Sequence, residues 1–308
     1  MAPSSTLVQL EGWQGDWFTL HGAGQGNRGV VLNGIEGIVD APVTTSRSKT
    51  AFRPGALDGG KRWEEREVTI TATVAPALAT GRADGDYELL DSDFRKAWSY
   101  SADSKLWIQT RSGRRHLPLR LSAAPRYLSK KDPHHGQLGQ IELDTVALVP
   151  WWIEPDVVDS WVSQDDGVQE GTVRIENPTD RPMWLKWTIT APGTWTIPDF
   201  SWYGSNTFSP DDLPADIADA AASSTARKIV MPPLSSGVGV DIDTDPFEEQ
   251  IVRPGFPNFW SLMNGVMFLF PVPPWTPPTE LPVKVDGPAG STIAVMCERE
   301  WTRAWGMR

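Results

Sequence analysis

In Val68-Thr69-Ile70-Thr71-Ala72-Thr73-Val74, apolar residues and threonines alternate without a break. A period of two puts every apolar side chain on one face of an extended chain, and β-branched residues favour that extension. Such a segment buries one face only, so it must pair with other strands over a core. The pattern recurs along the chain. Residues 141–148 alternate over their first half and then turn wholly apolar. Met183, Leu185, Trp187 and Ile189 share one face, as do Ile293, Val295 and Cys297, with Glu298 and Glu300 on the other. The 27 glycines and 27 prolines supply the turns that many short strands require. The chain reads as mainly β.

One segment carries the helical period instead. Over residues 87–98, Leu90, Phe94 and Trp98 fall at successive i+4 positions, and Asp86 stands where an N-cap accepts free N–H groups. Glu88 and Asp91 suit the positive end of the helix dipole. A weaker helical pattern runs through 215–222, although its Ser, Asp and Ala surroundings read equally as an insertion.

A chain of 308 residues exceeds what one hydrophobic core usually organises, so two domains are expected. The strand reaching Val149-Pro150-Trp151-Trp152 stops at a proline, and an acidic, apolar-poor run over 163–171 follows. The expected division is a domain at 1–160, a linker at 161–169 and a domain at 170–308. No repeat of solenoid or propeller period is present.

Net charge narrows the partners. At −11, with no large Lys/Arg cluster to offset it, the surface repels phosphate backbones and argues against sequence-specific nucleic-acid binding. The single cysteine, Cys297, allows no disulfide within the chain and fits synthesis in a reducing compartment. It lies in an apolar strand and reads as a small core hydrophobe. The first residues lack the basic start and apolar stretch of a signal peptide, and 266–272 is too short to span a bilayer, so no membrane is expected.

Reactive constellations are sparse. The adjacent His134-His135 pair sits in a Lys/Asp/Pro turn, where neighbouring rings point apart, so a solvated loop is preferred over a metal site. Asp241-Ile242-Asp243-Thr244-Asp245 resembles the start of a calcium loop but lacks its glycine and distal glutamate at the right spacing; a strand end facing water is the better reading. The glycines of His21-Gly22-Ala23-Gly24-Gln25-Gly26 read as a turn rather than a dinucleotide fingerprint. No nucleophile elbow is present, and nothing singles out a carboxylate pair. No catalytic residue, metal ligand or cofactor is expected.

The order of features carries more information than any motif. Trp17-Phe18-Thr19-Leu20 leads into Val30-Val31-Leu32-Asn33-Gly34-Ile35-Glu36-Gly37 and then Ile38-Val39-Asp40-Ala41-Pro42-Val43. A Gly/Asp-rich turn at 55–60, the strand at 66–74, the single helix at 87–98, Lys105-Leu106-Trp107-Ile108-Gln109-Thr110 and strands at 117–128 and 141–150 follow. In the second half come Asn177-Pro178-Thr179-Asp180-Arg181-Pro182, Lys228-Ile229-Val230-Met231-Pro232, Gly239-Val240-Asp241-Ile242-Asp243-Thr244 and Trp260-Ser261-Leu262-Met263-Asn264-Gly265. Nearly the whole chain in this order resembles the siphophage distal tail proteins, and more narrowly the minor tail proteins of actinobacterial phages. Residues 202–226 depart from the pattern and read as an insertion.

The resemblance implies two β-sandwich domains, the first with one helix and the second galectin-like, of jelly-roll type. It implies a non-enzymatic virion protein of a long non-contractile tail: a homohexameric ring between the tail tube protein and the tail-tip or baseplate hub protein, made in the host bacterial cytoplasm. A second class is a carbohydrate-binding module contacting host glycans, because galectin-like sandwiches hold sugars and Trp faces stack on pyranose rings. Trp195, Trp202 and Tyr203, in Pro/Gly/Ser surroundings, are its candidate residues, with core or subunit interface as the competing reading.

Overall fold

The computed structural model describes residues 6–49, 54–79, 86–199, 227–256 and 258–307. The chain divides into two compact units, the first formed by Met1–Glu154 with Trp301–Arg308 and the second by Pro155–Glu300.

Unit 1 holds β1 (Leu7–Glu11), β2 (Trp17–His21), β3 (Val30–Glu36), β4 (Val43–Ser48), β5 (Leu57–Trp63), β6 (Arg66–Val74), α1 (Tyr87–Lys96), β7 (Ser104–Thr110), β8 (Gly113–Leu121), β9 (Arg126–Tyr127), α2 (Pro133–Gly136) and β10 (Gly139–Ala147). Pairing is antiparallel throughout. One layer runs β2-β1-β7-β8 and the other β3-β6-β10, with β9 added to β10 and the two joined where β8 pairs with β10 at Leu121 and Thr145. The alternation in β6 buries Val68, Ile70, Ala72 and Val74, and β10 buries Ile141, Leu143 and Ala147 on its matching face. Thr145 is buried among them because its hydroxyl donates to Val68 O at 2.7 Å.

The helical segment forms α1, and Asp86 caps it by accepting from Leu89 N at 3.2 Å. Leu90 and Phe94, with Trp98 just past its end, enter the core of unit 1, while Leu89 stays exposed. Phe94 meets Phe18 edge-on at 5.4 Å and Trp98 at 6.2 Å. Its full burial contributes roughly 1.5–3 kcal/mol.

After β11 (Trp152–Val162), unit 2 comprises β12 (Gly167–Asn177), β13 (Leu185–Ile189), β14 (Thr194–Pro198), β15 (Lys228–Val230), β16 (Val240–Asp243), β17 (Ile251–Val252), β18 (Thr276–Gly287) and β19 (Thr292–Trp301). Its sheets run β17-β16-β13-β19 and β12-β18-β14-β15, again antiparallel. Leu185, Trp187, Ile189, Val295 and Cys297 from one sheet share a core with Val173, Trp195, Ile197 and Val283 from the other. This is a sandwich of two layers.

Two features differ from the sequence expectation. Residues 161–169 are not a linker: β11 continues to Val162, β12 starts at Gly167, and Ser163 N donates to Ser291 O at 2.9 Å while Asp166 accepts from Ala289 N at 2.8 Å. Short polar residues that satisfy backbone groups in a tight connection have the same composition as a flexible linker. The first unit runs to Glu154, close to the expected 160, but it also takes in Trp301–Arg308, whose Trp301 and Ala304 belong to its core. The helical pattern at 215–222 lies outside the described residues.

Candidate functional site

The β4–β5 ribbon stands at the surface of unit 1. Every residue of β4 is exposed, and neither strand supplies a residue to the buried core. The ribbon is rooted where Trp63 packs edge-on against Trp151 at 5.0 Å and Glu64 N donates to Pro42 O at 3.1 Å. It carries Arg47, Lys61 and Arg62, in a chain whose net charge is −11. A two-stranded hairpin is marginal in water by itself. Beside its root, Gly37, Asp40, Pro42, Glu64, Glu65 and Glu67 line an open hollow of about 450 Å³. Gly37 has φ +82°, and an added Cβ would stand 2.0 Å from Glu67 O, so only glycine fits there.

The outward face of the β2-β1-β7-β8 sheet carries an aromatic and cationic rack. Trp17 and Trp107 stack with centroids 6.1 Å apart, and the Arg114 guanidinium lies 4.3 Å from the Trp107 centroid and 5.5 Å from that of Trp17. Trp107 Nε1 donates to Glu11 at 2.9 Å, and Arg114 donates to Gln9 at 3.4 Å. His116 sits 4.4 Å from Trp107, and burial, with Lys105 nearby, pulls its pKa down to about 4, so the imidazole is neutral. These contacts hold the side chains in place before any partner arrives, and Trp and Arg are the residues that dominate binding at protein interfaces.

Two buried arginines face the returning segment that follows β19. Arg66, on β6, donates to Pro150 O at 3.0 Å, Gly37 O at 3.2 Å and Thr302 O at 2.8 Å. Burial pulls its pKa down to about 10, which still leaves it charged at neutral pH. Arg115, on β8, donates to Arg303 O at 2.8 Å and Gly306 O at 3.0 Å, with its guanidinium over the Trp301 ring. Trp301 Nε1 donates to Glu154 at 3.0 Å, and Arg303 forms a two-pronged pair with Asp40. No local pattern in the sequence marks this clasp, because its members are up to 236 residues apart.

The residues singled out in the sequence do not converge. Trp195, a candidate for stacking on sugars, is fully buried in the core of unit 2 and donates to Thr190 O at 2.9 Å, which leaves no ring face for a sugar. The neighbouring Pro192 and Gly193 turn the chain into β14, whose alternation points Trp195 and Ile197 inward. Trp202 and Tyr203 lie outside the described residues. His134 stands in the short α2 turn, edge-on to Tyr87 at 5.5 Å. Asp241 accepts from the Thr188 hydroxyl, and Lys186 bridges Asp243 at 3.2 Å and Glu298 at 2.8 Å. Among the described residues, no group of three or more His, Cys, Asp or Glu side chains could hold a metal ion. Cys297 is buried, and that burial pushes its thiol up to about 11. Gly22, Gly24 and Gly26 all take positive φ in a turn.

Comparison with known proteins gives the chain a family. No family model matches the chain. The minor tail protein Gp27 of Mycobacterium phage D29 is 30% identical over 341 aligned residues, covering 99% of each chain. The minor tail protein Gp27 of Mycobacterium phage L5 is 29% identical over the same span and coverage. Among solved structures, the Dit (gp 19.1) protein of phage SPP1, described as a paradigm of the hub adsorption apparatus of phages infecting Gram-positive bacteria, aligns with a TM-score of 0.54. It covers 96% of this chain and 99% of that one at 10% identity, a likeness of fold alone. With 30% identity running from end to end, the chain belongs to the mycobacteriophage minor tail protein Gp27 family.

Proposed function

We propose that this minor tail protein is a distal-tail adaptor: unit 1 closes a homohexameric ring at the tail tip, and unit 2 is a galectin-like sandwich. The ring would join the tail tube to the tail-tip or baseplate hub, in a virion assembled in the host cytoplasm. The observation that carries this reading is the β4–β5 ribbon, exposed along all of β4 and outside the core. Its backbone edges and the basic Arg47 and Lys61 suit the surface of a neighbouring copy, where Glu65 and Glu67 line an acidic hollow beside Asp40 and Glu64, which pair within one copy with Arg303 and Arg62. A ribbon meeting a different patch on the next copy makes a head-to-tail contact, and such contacts form rings when the rotation closes. The SPP1 Dit fold, matched across the whole length, supports the same reading.

Negative-stain imaging and native mass measurement of the purified protein and of isolated tails test it. Six-fold rings are expected, weakening with salt because the ribbon contact is ionic. A protein that remains monomeric or dimeric within intact tails sinks the reading.

A further inference from the structure

We propose that unit 1 is a receptor for the chain segment 301–306, and that its competence to assemble waits for that segment to dock. The second half of this statement rests on the ring reading above; the first does not.

The case begins with where the arginines sit. Arg66 lies on β6, at the centre of one layer of unit 1, and Arg115 on β8, in the other layer; both are buried. Each turns donors toward main-chain carbonyls of the returning segment: Thr302 for Arg66, Arg303 and Gly306 for Arg115. The segment therefore bonds to both layers through their buried charges, in addition to the β8–β10 pairing that joins them. It also fills apolar space, since Trp301 and Ala304 are buried in the core of unit 1 alongside Trp152 and Ile108. Its backbone is held from the other side as well, because Gly306 N donates to Ser112 Oγ at 2.9 Å.

Before the segment arrives, Arg115 is without the carbonyls of Arg303 and Gly306 and Arg66 without that of Thr302, though Arg66 keeps Pro150 O and Gly37 O, and the Trp301 site is open. A buried charged donor that loses acceptors is destabilising. Residues 301–306 follow all of unit 2 in the chain, whereas domains generally fold as units in order of synthesis. Unit 1 is thus the first unit made and the last completed. A chain interrupted anywhere in unit 2 would carry an open clasp, and would not close a ring with finished copies.

Pulsed hydrogen exchange during refolding of the full chain tests the docking step. The amides of β6 and β8 are expected to gain protection together with those of 302–306. Protection of β8 well ahead of that segment overturns the proposal. In the full chain, Arg115→Met keeps side-chain volume and removes the donors. By loosening the segment it should raise exchange at the Gly306 amide, which donates to Ser112 Oγ, by about 100-fold, with β13 and β16 in unit 2 unchanged; unaltered exchange at Gly306 overturns it.

Assembly is read separately, by native mass measurement of a chain ending at residue 300. It is expected to yield about 100-fold less ring than the full chain, and a synthetic peptide spanning 300–307, added in excess, should restore it. Equal ring formation without the peptide overturns the assembly step. If the full chain itself forms no ring, the ring reading fails, while the exchange results still decide the docking step.

Discussion

The Arg115 guanidinium lies 3.6 Å from the centroid of the Trp301 ring, and both residues are buried. One belongs to β8 and the other to the end of β19, so this contact joins the early part of the chain to residues that follow the whole of unit 2. Cation–π contacts strengthen when desolvated, to about 2 kcal/mol or more. Trp301→Ala removes that contact, the ring's core packing and its bond to Glu154. It should destabilise unit 1 by about 3–5 kcal/mol and leave unit 2 intact. Exchange-monitored denaturation reads the two units separately, and a loss confined to unit 2 would contradict this assignment.

Phe94 separates a core role from an interface role for α1. Its ring is fully buried against Phe18 and Trp98 within unit 1. Phe94→Ala should therefore cost about 3–5 kcal/mol in the monomer itself. A variant with unchanged denaturation midpoint that only fails to oligomerise would place the helix at a subunit interface instead.

Asn177 is a fully buried knot in unit 2. Its Nδ2 lies 2.8 Å from Arg181 O and 3.0 Å from both Val272 O and Pro273 O, while Oδ1 accepts from Thr179 N and Oγ1. Asn177→Ala strands several of these groups and should cost about 2–4 kcal/mol. Asn177→Asp should be at least as damaging, because a carboxylate cannot donate to three carbonyls. Urea titration with unit 2 tryptophan fluorescence measures both.

Acid should act on the two units in opposite directions. His116 is held neutral, with its pKa near 4 against an ordinary 6.5, so below pH 6.5 the unfolded chain takes up the proton first. Unit 1 therefore loses stability as pH falls from 6.5 towards 4, by up to about 2 kcal/mol after allowance for solvent screening. In unit 2, burial raises Asp199 to about 6, from an ordinary 3.8, despite its bonds from Leu269 N, Phe270 N and Arg227. There the folded state holds the proton longer, so this group's contribution falls as pH rises from 4 to 6. His116→Gln should flatten the acid limb of unit 1 and Asp199→Asn the opposite slope of unit 2. Slopes that survive both substitutions would assign the effect elsewhere.

Cys297 is buried among Leu185, Val295 and other core residues of unit 2, and the raised thiol pKa leaves little thiolate at neutral pH. A thiol reagent should label it far more slowly in the folded protein than after denaturation. Cys297→Ser should destabilise more than Cys297→Ala, since it buries a hydroxyl. Labelling at the rate of a free thiol would show that β19 opens in the native state.

Local periodicity alone determined much of this protein. The alternation in β6, β10, β13 and β19 names their buried faces, and Leu90, Phe94 and Trp98 mark the helix stripe, because side-chain direction follows from a residue's neighbours in the chain. Asp86 as a cap and the glycine turn at 22–26 were legible for the same reason. Only the tertiary structure decided which Trp is covered: Trp195 follows a Pro-Gly turn yet lies in the core, and Trp17 lies within a strand yet is 38% exposed. An amphipathic ring suits either place, so its own identity does not choose. The same holds for the ribbon, whose residues pair as strands without entering a core, and for the clasp of Arg66 and Arg115 on residues 302–306. Carbonyl acceptors belong to every residue, so no residue type at 302–306 announces that two buried arginines will close on it. That choice is made by the long-range packing of β6 and β8 around a segment supplied from beyond unit 2.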